Sequence, residues 1–443
     1  MKKRLGIVSP NITYLAISIM LITSFLAPTL VSKSNEPDPA VIEFLETIDW
    51  DEKHHIEFYG TLLQDLAEAY PKLATTYSIG HSWRERQLWC IEISSVSSKQ
   101  TKTEVAVLGN IHGGEQESGE SAAYVAWWLV TNYDSDPRAQ EILDNYIVYV
   151  VPVINPDGYE NSFLYNTRSN FRPLDKDGNG YPCDDPRVDV DGDGIVSRLY
   201  QGPESTTNMD DLTYLGYESL DWNNDGEYGN DVKESNIDLN RNFDYMWAAY
   251  DPELDPVLGE RLSTSRRGPD VASEPEVQAV QNFLIEHSEI QALATLHTGE
   301  QSVLWPWCYT ADPSPDHEYM QATAEAMAAA FSATTTRDGI TRNYYALQSY
   351  HDYPTTAELI DFSYGRLGIY SYTVEVYASR TGTYRWNHPY PSETTYTYVG
   401  DWYGLEDIWL RQTTGGGVYP GDQHIIVEGC LEAMLVMFES VQI

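Results

Sequence analysis

Short apolar runs rich in β-branched residues alternate along this chain with stretches whose apolar residues recur at helical spacing. The runs cover residues 88–93, 105–111, 146–154, 291–297 and 370–376. The helical stretches cover residues 54–70, 119–133, 274–287 and 318–331. This alternation favours an α/β fold, a mixed, mostly parallel twisted sheet with helices on both faces. Active sites of such sheets gather beyond the strand ends, so residues directly after the runs are the first candidates for function.

Length and charge set further limits. The 443 residues, 42% of them hydrophobic, suffice for one large domain with a sizeable core. Lys and Arg number 27 against 67 Asp and Glu, so the formal net charge is −40. A chain this acidic repels phosphate backbones and anionic lipid surfaces, and we therefore expect no nucleic-acid partner. We expect it instead to be very soluble and to attract divalent cations.

The N-terminus predicts export. A basic start, Lys2-Lys3-Arg4, precedes an apolar run over residues 12–31, after which the chain turns polar. This order is typical of a secretory signal peptide, here residues 1–32, followed by a polar linker over 33–50. A run of about 20 apolar residues is also long enough to stay as a membrane anchor. We expect a secreted or extracytoplasmic protein, which contacts a membrane only if this segment stays uncleaved.

The four cysteines are Cys90, Cys183, Cys308 and Cys430. They form no CxxC pair, so a thiolate zinc site is not expected. Three disulfide pairings are open, and the sequence does not choose among them. Cys90 lies inside an apolar run, where a buried free thiol is the simplest interpretation.

Residues 175–234 form an acidic insert, with 16 acidic and 4 basic residues and little apolar periodicity. We expect it to lack a core. Two of its segments follow a DxDxDG-like pattern, in which oxygen ligands at alternate positions and a turn glycine suit calcium. The candidate ligands are Asp175, Asp177 and Asn179 in the first loop, and Asp189, Asp191 and Asp193 in the second. The twelfth positions are Pro186 and Tyr200, so neither is an EF-hand, and a merely solvated acidic loop is the alternative.

A metal site is predicted where two of the apolar runs end. His112 and Glu115 follow the run 105–111, and His297 ends the run 291–297. Zinc readily binds imidazole nitrogen and carboxylate oxygen, and catalytic zinc sites use three protein ligands and leave one position open. A His and a Glu three apart also occur as ordinary loop residues after a strand, so this spacing alone is a weak signal.

Two longer strings make the signal specific. They are PVINPDGY at residues 152–159 and NIDLNRNF at residues 236–243. Together with His112, Glu115, His297 and the VEV sequence around Glu375, they resemble the zinc metallocarboxypeptidases, the family of carboxypeptidase A. The resemblance extends from about residue 52 to the C-terminus. It implies that residues 51–443 form a zinc carboxypeptidase catalytic domain that contains the acidic insert.

The resemblance also implies a role for each matching position. The zinc ligands are His112, Glu115 and His297, and Asp238 orients the first of them. Asn240 and Arg241 grip the terminal carboxylate of the substrate, Tyr353 closes over it, and Ile360 lies in the pocket for the last side chain. Arg168, preferred over Arg172, polarises the scissile carbonyl, and Glu375 is the general base.

These residue types suit peptide hydrolysis on chemical grounds. Bound zinc lowers the pKa of a water molecule to about 7 and polarises a carbonyl group. A neighbouring carboxylate accepts the proton of the water and later delivers it to the leaving amine. An arginine fork binds a carboxylate at two points, which restricts cleavage to the end of a chain.

The substrate preference and two other functions stay open. The apolar Ile360 favours apolar or aromatic C-terminal residues, because burying a charge against it is costly. Glu358 would admit a basic residue if its side chain points inward. The leading hypothesis is an exported zinc carboxypeptidase that acts on peptides with a free C-terminus. The alternatives are a peptidase of peptidoglycan stem peptides and an inactive calcium-binding surface protein on the same fold.

Overall fold

The computed structural model describes residues 37–96, 101–163, 168–173, 175, 178–180, 182, 187–222, 224–226, 228, 237–249, 267–336, 342–377, 393–414 and 423–441. These residues belong to one compact unit of the chain, residues 37–443. Several predictions fall outside the described residues: the signal peptide or anchor, Asp177, Cys183 and residues 378–392.

Within the described residues the chain forms twelve strands and nine α-helices. The strands are β1 (Ala74–His81), β2 (Gln87–Ile93), β3 (Thr103–Gly109), β4 (Tyr146–Val151), β5 (Arg198–Gln201), β6 (Thr213–Tyr217), β7 (Ile290–His297), β8 (Ser302–Trp305), β9 (Tyr345–Gln348), β10 (Tyr370–Glu375), β11 (Glu393–Trp402) and β12 (Leu405–Thr414). The helices are α1 (Pro39–Glu46), α2 (Ile56–Ala69), α3 (Gln116–Thr131), α4 (Pro137–Asn145), α5 (Pro156–Asn161), α6 (Pro275–Glu286), α7 (His317–Thr335), α8 (Leu359–Leu367) and α9 (Gln423–Ser440).

Eight strands form the main sheet, in the order β1-β2-β4-β3-β7-β10-β8-β9. The central strands β4, β3, β7 and β10 run parallel to one another. The pairs β1–β2, β2–β4 and β10–β8 are antiparallel, whereas β8–β9 is parallel. The predicted α/β fold with a mixed, mostly parallel sheet is confirmed.

Helices cover both faces of this sheet because the central strands are apolar on both sides. On β3, Val105 and Val107 enter one apolar cluster, which also receives residues of α2, α3, α4, α7 and α9. Ala106 and Leu108, which point the opposite way, enter a second cluster with residues of α6 and α8. A parallel strand buried on both faces is expected to be a continuous apolar run, as the sequence of β3 is.

Local capping residues fix where several helices begin and end. The side chains of Asp136 and Asn155 accept backbone N–H groups of the first turns of α4 and α5, and a proline follows each cap. Such Asx-Pro starts satisfy N–H groups that have no partner inside the helix. Helix α8 ends at Gly368, whose φ of 75° suits a residue without a Cβ atom.

The acidic insert has a core, contrary to the prediction. Its strands β5 and β6 join β11 and β12 in a second, antiparallel sheet of order β11-β12-β5-β6. Leu199 of the insert packs there against Trp402, Ile408 and Leu410. The insert looked coreless because the hairpin that completes its apolar cluster lies about two hundred residues further along the chain.

The described part of the predicted linker, residues 37–50, is more than a polar spacer. It contains α1, which is capped by Asp38 and buries Leu45 to 2% exposure. Trp50 packs edge-on against Tyr124 of α3 at a ring distance of 5.1 Å. These apolar contacts attach the segment to the main core, so it does not behave as a polar spacer.

Cys90, Cys308 and Cys430 are buried free thiols, and no disulfide links any described residues. Among the described helices, none combines the length and the apolar character needed to cross a membrane.

Candidate active site

The candidate site lies where three neighbouring parallel strands end. Strand β3 leads into the loop that carries His112, His297 is the last residue of β7, and Glu375 is the last residue of β10. His297 and Glu375 are register partners. Because β3, β7 and β10 are adjacent and parallel, their carboxyl ends bring these side chains to one edge of the sheet.

Three side chains converge there. The Nδ1 atom of His112 lies 2.8 Å from Oε1 of Glu115 and 3.2 Å from Nδ1 of His297. The Nδ1 atom of His297 lies 3.1 Å from Oε2 of Glu115. All three residues are nearly inaccessible, with exposures of 2%, 7% and 2%.

The spacing of these atoms fits a zinc ion. Ligand atoms about 2.0–2.1 Å from a tetrahedral zinc lie about 3.3 Å from one another, close to the separations found here. Two imidazoles and one carboxylate are also the ligand types that catalytic zinc uses. The buried Oε2 of Glu375 has no hydrogen-bond partner among the described residues, so an acceptor remains available at the site.

Asp238 sets the orientation of His112. Its Oδ1 lies 3.0 Å from Nε2 of His112 and also accepts the backbone N–H of Asn240. A proton on Nε2 that is donated to Asp238 leaves Nδ1 with a free lone pair facing Glu115 and His297. The corresponding Nε2 of His297 lies 3.3 Å from Oγ1 of Thr295. Thr295 was not predicted, and its position two residues before His297 gives no sequence signal.

The loop that carries His112 and Glu115 is held by asparagines. Asn110, at φ 50°, donates from Nδ2 to the carbonyl groups of His112 and Glu115. Asn155 of the NPDG string donates to the carbonyl group of Ile111. A Cβ atom on Gly113 would lie 2.3 Å from the carbonyl carbon of Gly158, so this close approach requires glycine.

The structure places Arg168, and not Arg172, beside the cluster. The guanidinium of Arg168 lies 3.3 Å from Glu115 through Nη1 and 3.3 Å from Asp238 through Nη2. Arg172 pairs with Glu274 at 2.8 Å and stacks on Trp83. Asn155 also bonds the carbonyl of Ser169, which ties the Arg168 segment to the metal loop.

Arg241 lies buried in the 3₁₀ turn Leu239–Arg241 and is already paired. Its Nη1 donates to Glu358 at 2.8 Å, and its Nη2 donates to the hydroxyl of Tyr353 at 3.2 Å. Glu358 therefore points inward, and it also accepts the hydroxyl of Thr355 at 2.6 Å. The side-chain oxygen of Asn240 accepts the backbone N–H of Leu359, which leaves its amide NH₂ as the group that can bind a substrate.

Ile360 lies in the first turn of α8 and is fully buried. Among the described residues it belongs to none of the three apolar clusters. Thr373, on β10, keeps a buried hydroxyl without a partner among the described residues. The sequence predicts Ile360 in the pocket for the last side chain of a substrate, and this role stays a prediction.

The carboxyl groups of the site differ in pKa. Burial opposes ionisation of Glu115, yet His112 and His297 outweigh it and hold its pKa well below the usual range. Burial likewise opposes ionisation of Asp238, but His112 and Arg168 keep its pKa low. For Glu375, burial dominates and raises the pKa to about 8. Such a division of carboxylates is typical of sites that use one as a ligand and another as a proton carrier.

Comparison with known proteins agrees with this geometry. A family model described as zinc carboxypeptidase matches residues 59–393, more than half of the chain. The chain belongs to the zinc carboxypeptidase family. Among its relatives, mouse carboxypeptidase A4 is 24% identical over 358 residues, which is 80% of this chain and 69% of the relative. Mouse carboxypeptidase A1 is 23% identical over 73% of this chain and 62% of its own length.

Solved structures of other carboxypeptidases share the fold. Bovine thrombin-activatable fibrinolysis inhibitor, in complex with a tick carboxypeptidase inhibitor, superposes with a TM-score of 0.57 at 19% identity, over 88% of this chain and 97% of that chain. Carboxypeptidase A from Helicoverpa armigera gives a TM-score of 0.56 at 18% identity, over 91% of this chain and 75% of that chain. At these identities the similarity establishes the carboxypeptidase fold alone.

The contact between Asp238 and His112 predicts a measurable effect on metal binding. In Asp238→Asn the bond that caps Asn240 is retained, but the negative charge that supports His112 is lost. We expect zinc affinity to fall by about 10- to 100-fold in a chelator competition assay. Asp244→Asn, at an exposed aspartate, serves as the control. Equal affinity of Asp238→Asn and the wild type would contradict this role.

Proposed function

We propose that this protein is a zinc-dependent carboxypeptidase that hydrolyses the last peptide bond of peptides with a free C-terminus. The observation that carries the proposal is one buried site with two imidazoles, a carboxylate ligand, an unpartnered acid and a buried arginine fork. The zinc ion, held by His112, Glu115 and His297, would supply a Lewis acid and lower the pKa of a water molecule.

Glu375 is the proposed proton carrier. Its Oε2 lies in the buried site without a hydrogen-bond partner among the described residues. A carboxylate in this state can accept a proton from the attacking water and release it to the leaving amine. Burial raises the pKa of Glu375 to about 8, whereas a cation at the three ligands would favour its ionised form.

Arg241 and Tyr353 are proposed to bind the terminal carboxylate. The Nη1 atom of Arg241 is shared by Glu358 and the carbonyl of Asn240, so the Nη2 side, beside the Tyr353 hydroxyl, is the side left for substrate. Arg168, whose guanidinium already adjoins Glu115, is proposed to stabilise the negative charge that develops on the carbonyl oxygen.

The proposed preference is for apolar or aromatic C-terminal residues, with basic residues also accepted. The buried side chains of Ile360, Thr355 and Thr373 provide pocket walls without charge. Glu358 supplies the acid of this region, and its charge is shared with Arg241 at 2.8 Å. A lysine or arginine side chain would gain the second oxygen of Glu358, which otherwise contacts the thiol of Cys308 at 3.4 Å.

We further propose that the acidic insert binds calcium. Asp189, Asp191 and Asp193 offer carboxylate oxygens within 4.8 Å of one another. Asp189 accepts the N–H groups of Gly192 and Gly194, and Asp175 accepts those of Gly178 and Gly180 in the same pattern. A divalent cation would remove the repulsion among these carboxylates, which is the physical support for the proposal.

Substitution of Glu375 tests the proposed reaction. Glu375→Gln keeps the shape of the side chain but cannot accept a proton, so we expect kcat on a panel of blocked dipeptides to fall by about 10²- to 10⁴-fold. Zinc content should not change. Glu92→Gln, at a half-buried glutamate of β2, is the matched control. If the wild type is inactive on every dipeptide, the alternative of an inactive scaffold stands.

Substitution of Glu358 tests the proposed preference. Glu358→Gln should lower kcat/KM for substrates ending in Lys at least tenfold more than for those ending in Phe, because only the basic side chain loses a counter-charge. The ratio cancels any general effect on Arg241. Glu92→Gln, at a half-buried glutamate of β2, is the matched control and should leave the ratio unchanged. An unchanged ratio in Glu358→Gln would show that Glu358 does not reach the last side chain.

Removal of calcium tests the proposal for the insert. Ligand binding at a hundredfold excess over Kd stabilises a folded protein by about 2.7 kcal/mol, so a calcium-selective chelator should lower the melting temperature of the zinc-loaded protein. The variant Asp189→Asn combined with Asp191→Asn should melt lower and no longer respond to the chelator. A wild type that melts at the same temperature with and without chelator would contradict calcium binding.

A further inference from the structure

The solvent side of the four-stranded sheet carries a band of tyrosines and arginines. This tyrosine face consists of Arg198, Tyr200, Tyr214, Tyr217, Tyr396 and Arg411. Its members are fixed by the strand register: Arg198 pairs with both Arg411 and Tyr217, and Arg411 pairs with Tyr396. The neighbouring Leu199 and Leu410 point the opposite way, into the small core. The band therefore lies on the side of the sheet opposite this core, where the guanidinium of Arg187 also lies over the ring of Tyr217 at 3.3 Å.

The rings of this face form one continuous group. Tyr200 lies 5.3 Å from Tyr214 and 5.9 Å from Tyr396, and Tyr214 lies 6.2 Å from Tyr217, measured between ring centroids. Tyr214 is 48% exposed, and Arg198 is also exposed. Tyr200, Tyr217 and Tyr396 are half-buried, so Tyr214 is the exposed ring of this aromatic group. An exposed ring that continues into a larger aromatic group marks a contact surface.

The two arginines of the face are not matched by acids. Arg198 and Arg411 stand directly opposite each other on β5 and β12, an arrangement of like charges that destabilises a sheet. Within the described part of the chain, neither forms an ion pair with a carboxylate. They lie over rings instead, at 5.2 Å from Tyr217 for Arg198 and 5.8 Å from Tyr396 for Arg411. The Nε of Arg411 is buried and lacks a partner there.

This lack of partners is unusual for so acidic a chain. With 67 acidic and 27 basic residues, most basic side chains have carboxylates available to them. Among the described residues, these two adjacent arginines are held by tyrosines and lack a carboxylate counter-charge, so they can receive one from a bound anion.

We propose that the tyrosine face binds an acidic polysaccharide, a chain of sugar rings that carries uronate carboxylates. The negative face of a tyrosine ring attracts the positively polarised C–H groups of a flat sugar ring. The paired guanidinium groups bind a carboxylate through charge-assisted hydrogen bonds. Rings beside two charges match a polymer in which uncharged ring surfaces and carboxylates occur together. The proposal does not depend on the peptidase activity.

Other polyanions fit the surface less well. Duplex nucleic acid carries one negative charge per about 1.7 Å. The net charge of −40 would repel so dense a polyanion more strongly than two arginines would attract it. An acidic peptide would satisfy the arginines but offers few flat ring surfaces to the tyrosines.

Binding of oligogalacturonate to the full-length protein, measured by calorimetry, tests the proposal. A neutral glucose oligomer of equal length and a polyglutamate of equal charge are the comparison ligands. We expect oligogalacturonate to bind at least tenfold more tightly than either. Arg198→Gln combined with Arg411→Gln should weaken it at least tenfold, and Tyr214→Ala at least threefold. Arg138→Gln, at an exposed arginine that pairs with Asp136 and Glu432, should change it less than twofold.

A thermal melt separates binding from a structural role. Because the two arginines repel each other, the double variant should melt no lower than the wild type, and dipeptide hydrolysis should not change in any variant. Tighter binding of polyglutamate, or equal binding of oligogalacturonate by the wild type and the double variant, would overturn the proposal. A complete absence of oligogalacturonate binding would do the same.

Discussion

The adjacency of three parallel strand ends determines the rest of the site. Strands β3, β7 and β10 deliver His112, His297 and Glu375 to one edge, and the loop after β3 adds Glu115. This edge gathers several buried ionisable groups, which is costly unless each finds a partner. Asp238, Arg168 and the histidines provide partners for one another, and the cluster holds its shape through these bonds. Among the described residues, Oε2 of Glu375 stays without a hydrogen-bond partner, and it is the oxygen that the proposed chemistry requires.

Most of the fold and of the site could be predicted because the signals were local. Apolar runs predicted β3, β7 and β10 to within a few residues. The HxxE spacing, together with the NPDG and DLNR strings, indicated which strand ends carry the candidate site. The sequence could not predict whether the side chain of Glu358 points into the site. Its pairing with Arg241 depends on how the first turn of α8 packs against the 3₁₀ turn at Leu239–Arg241.

The features that were missed depend on contacts between distant segments. The insert acquires its core only from β11 and β12, so neither half of the second sheet shows a complete apolar pattern. The sequence predicted a linker where helix α1 lies, because the short apolar run of α1 is buried only by packing on other helices, such as the contact of Phe44 with Phe58 of α2 at 6.2 Å. The role of Thr295 beside His297 has no sequence signature, since a single hydroxyl in an apolar strand is common.

The central claim is that two histidines and a glutamate from different strand ends hold one zinc ion. X-ray absorption at the zinc edge of the metal-loaded protein tests it directly. We predict a shell of nitrogen and oxygen atoms at about 2.0–2.2 Å that includes two imidazoles, and one imidazole fewer in His297→Ala. A sulfur shell at about 2.3 Å, or two imidazoles retained in His297→Ala, would contradict the account.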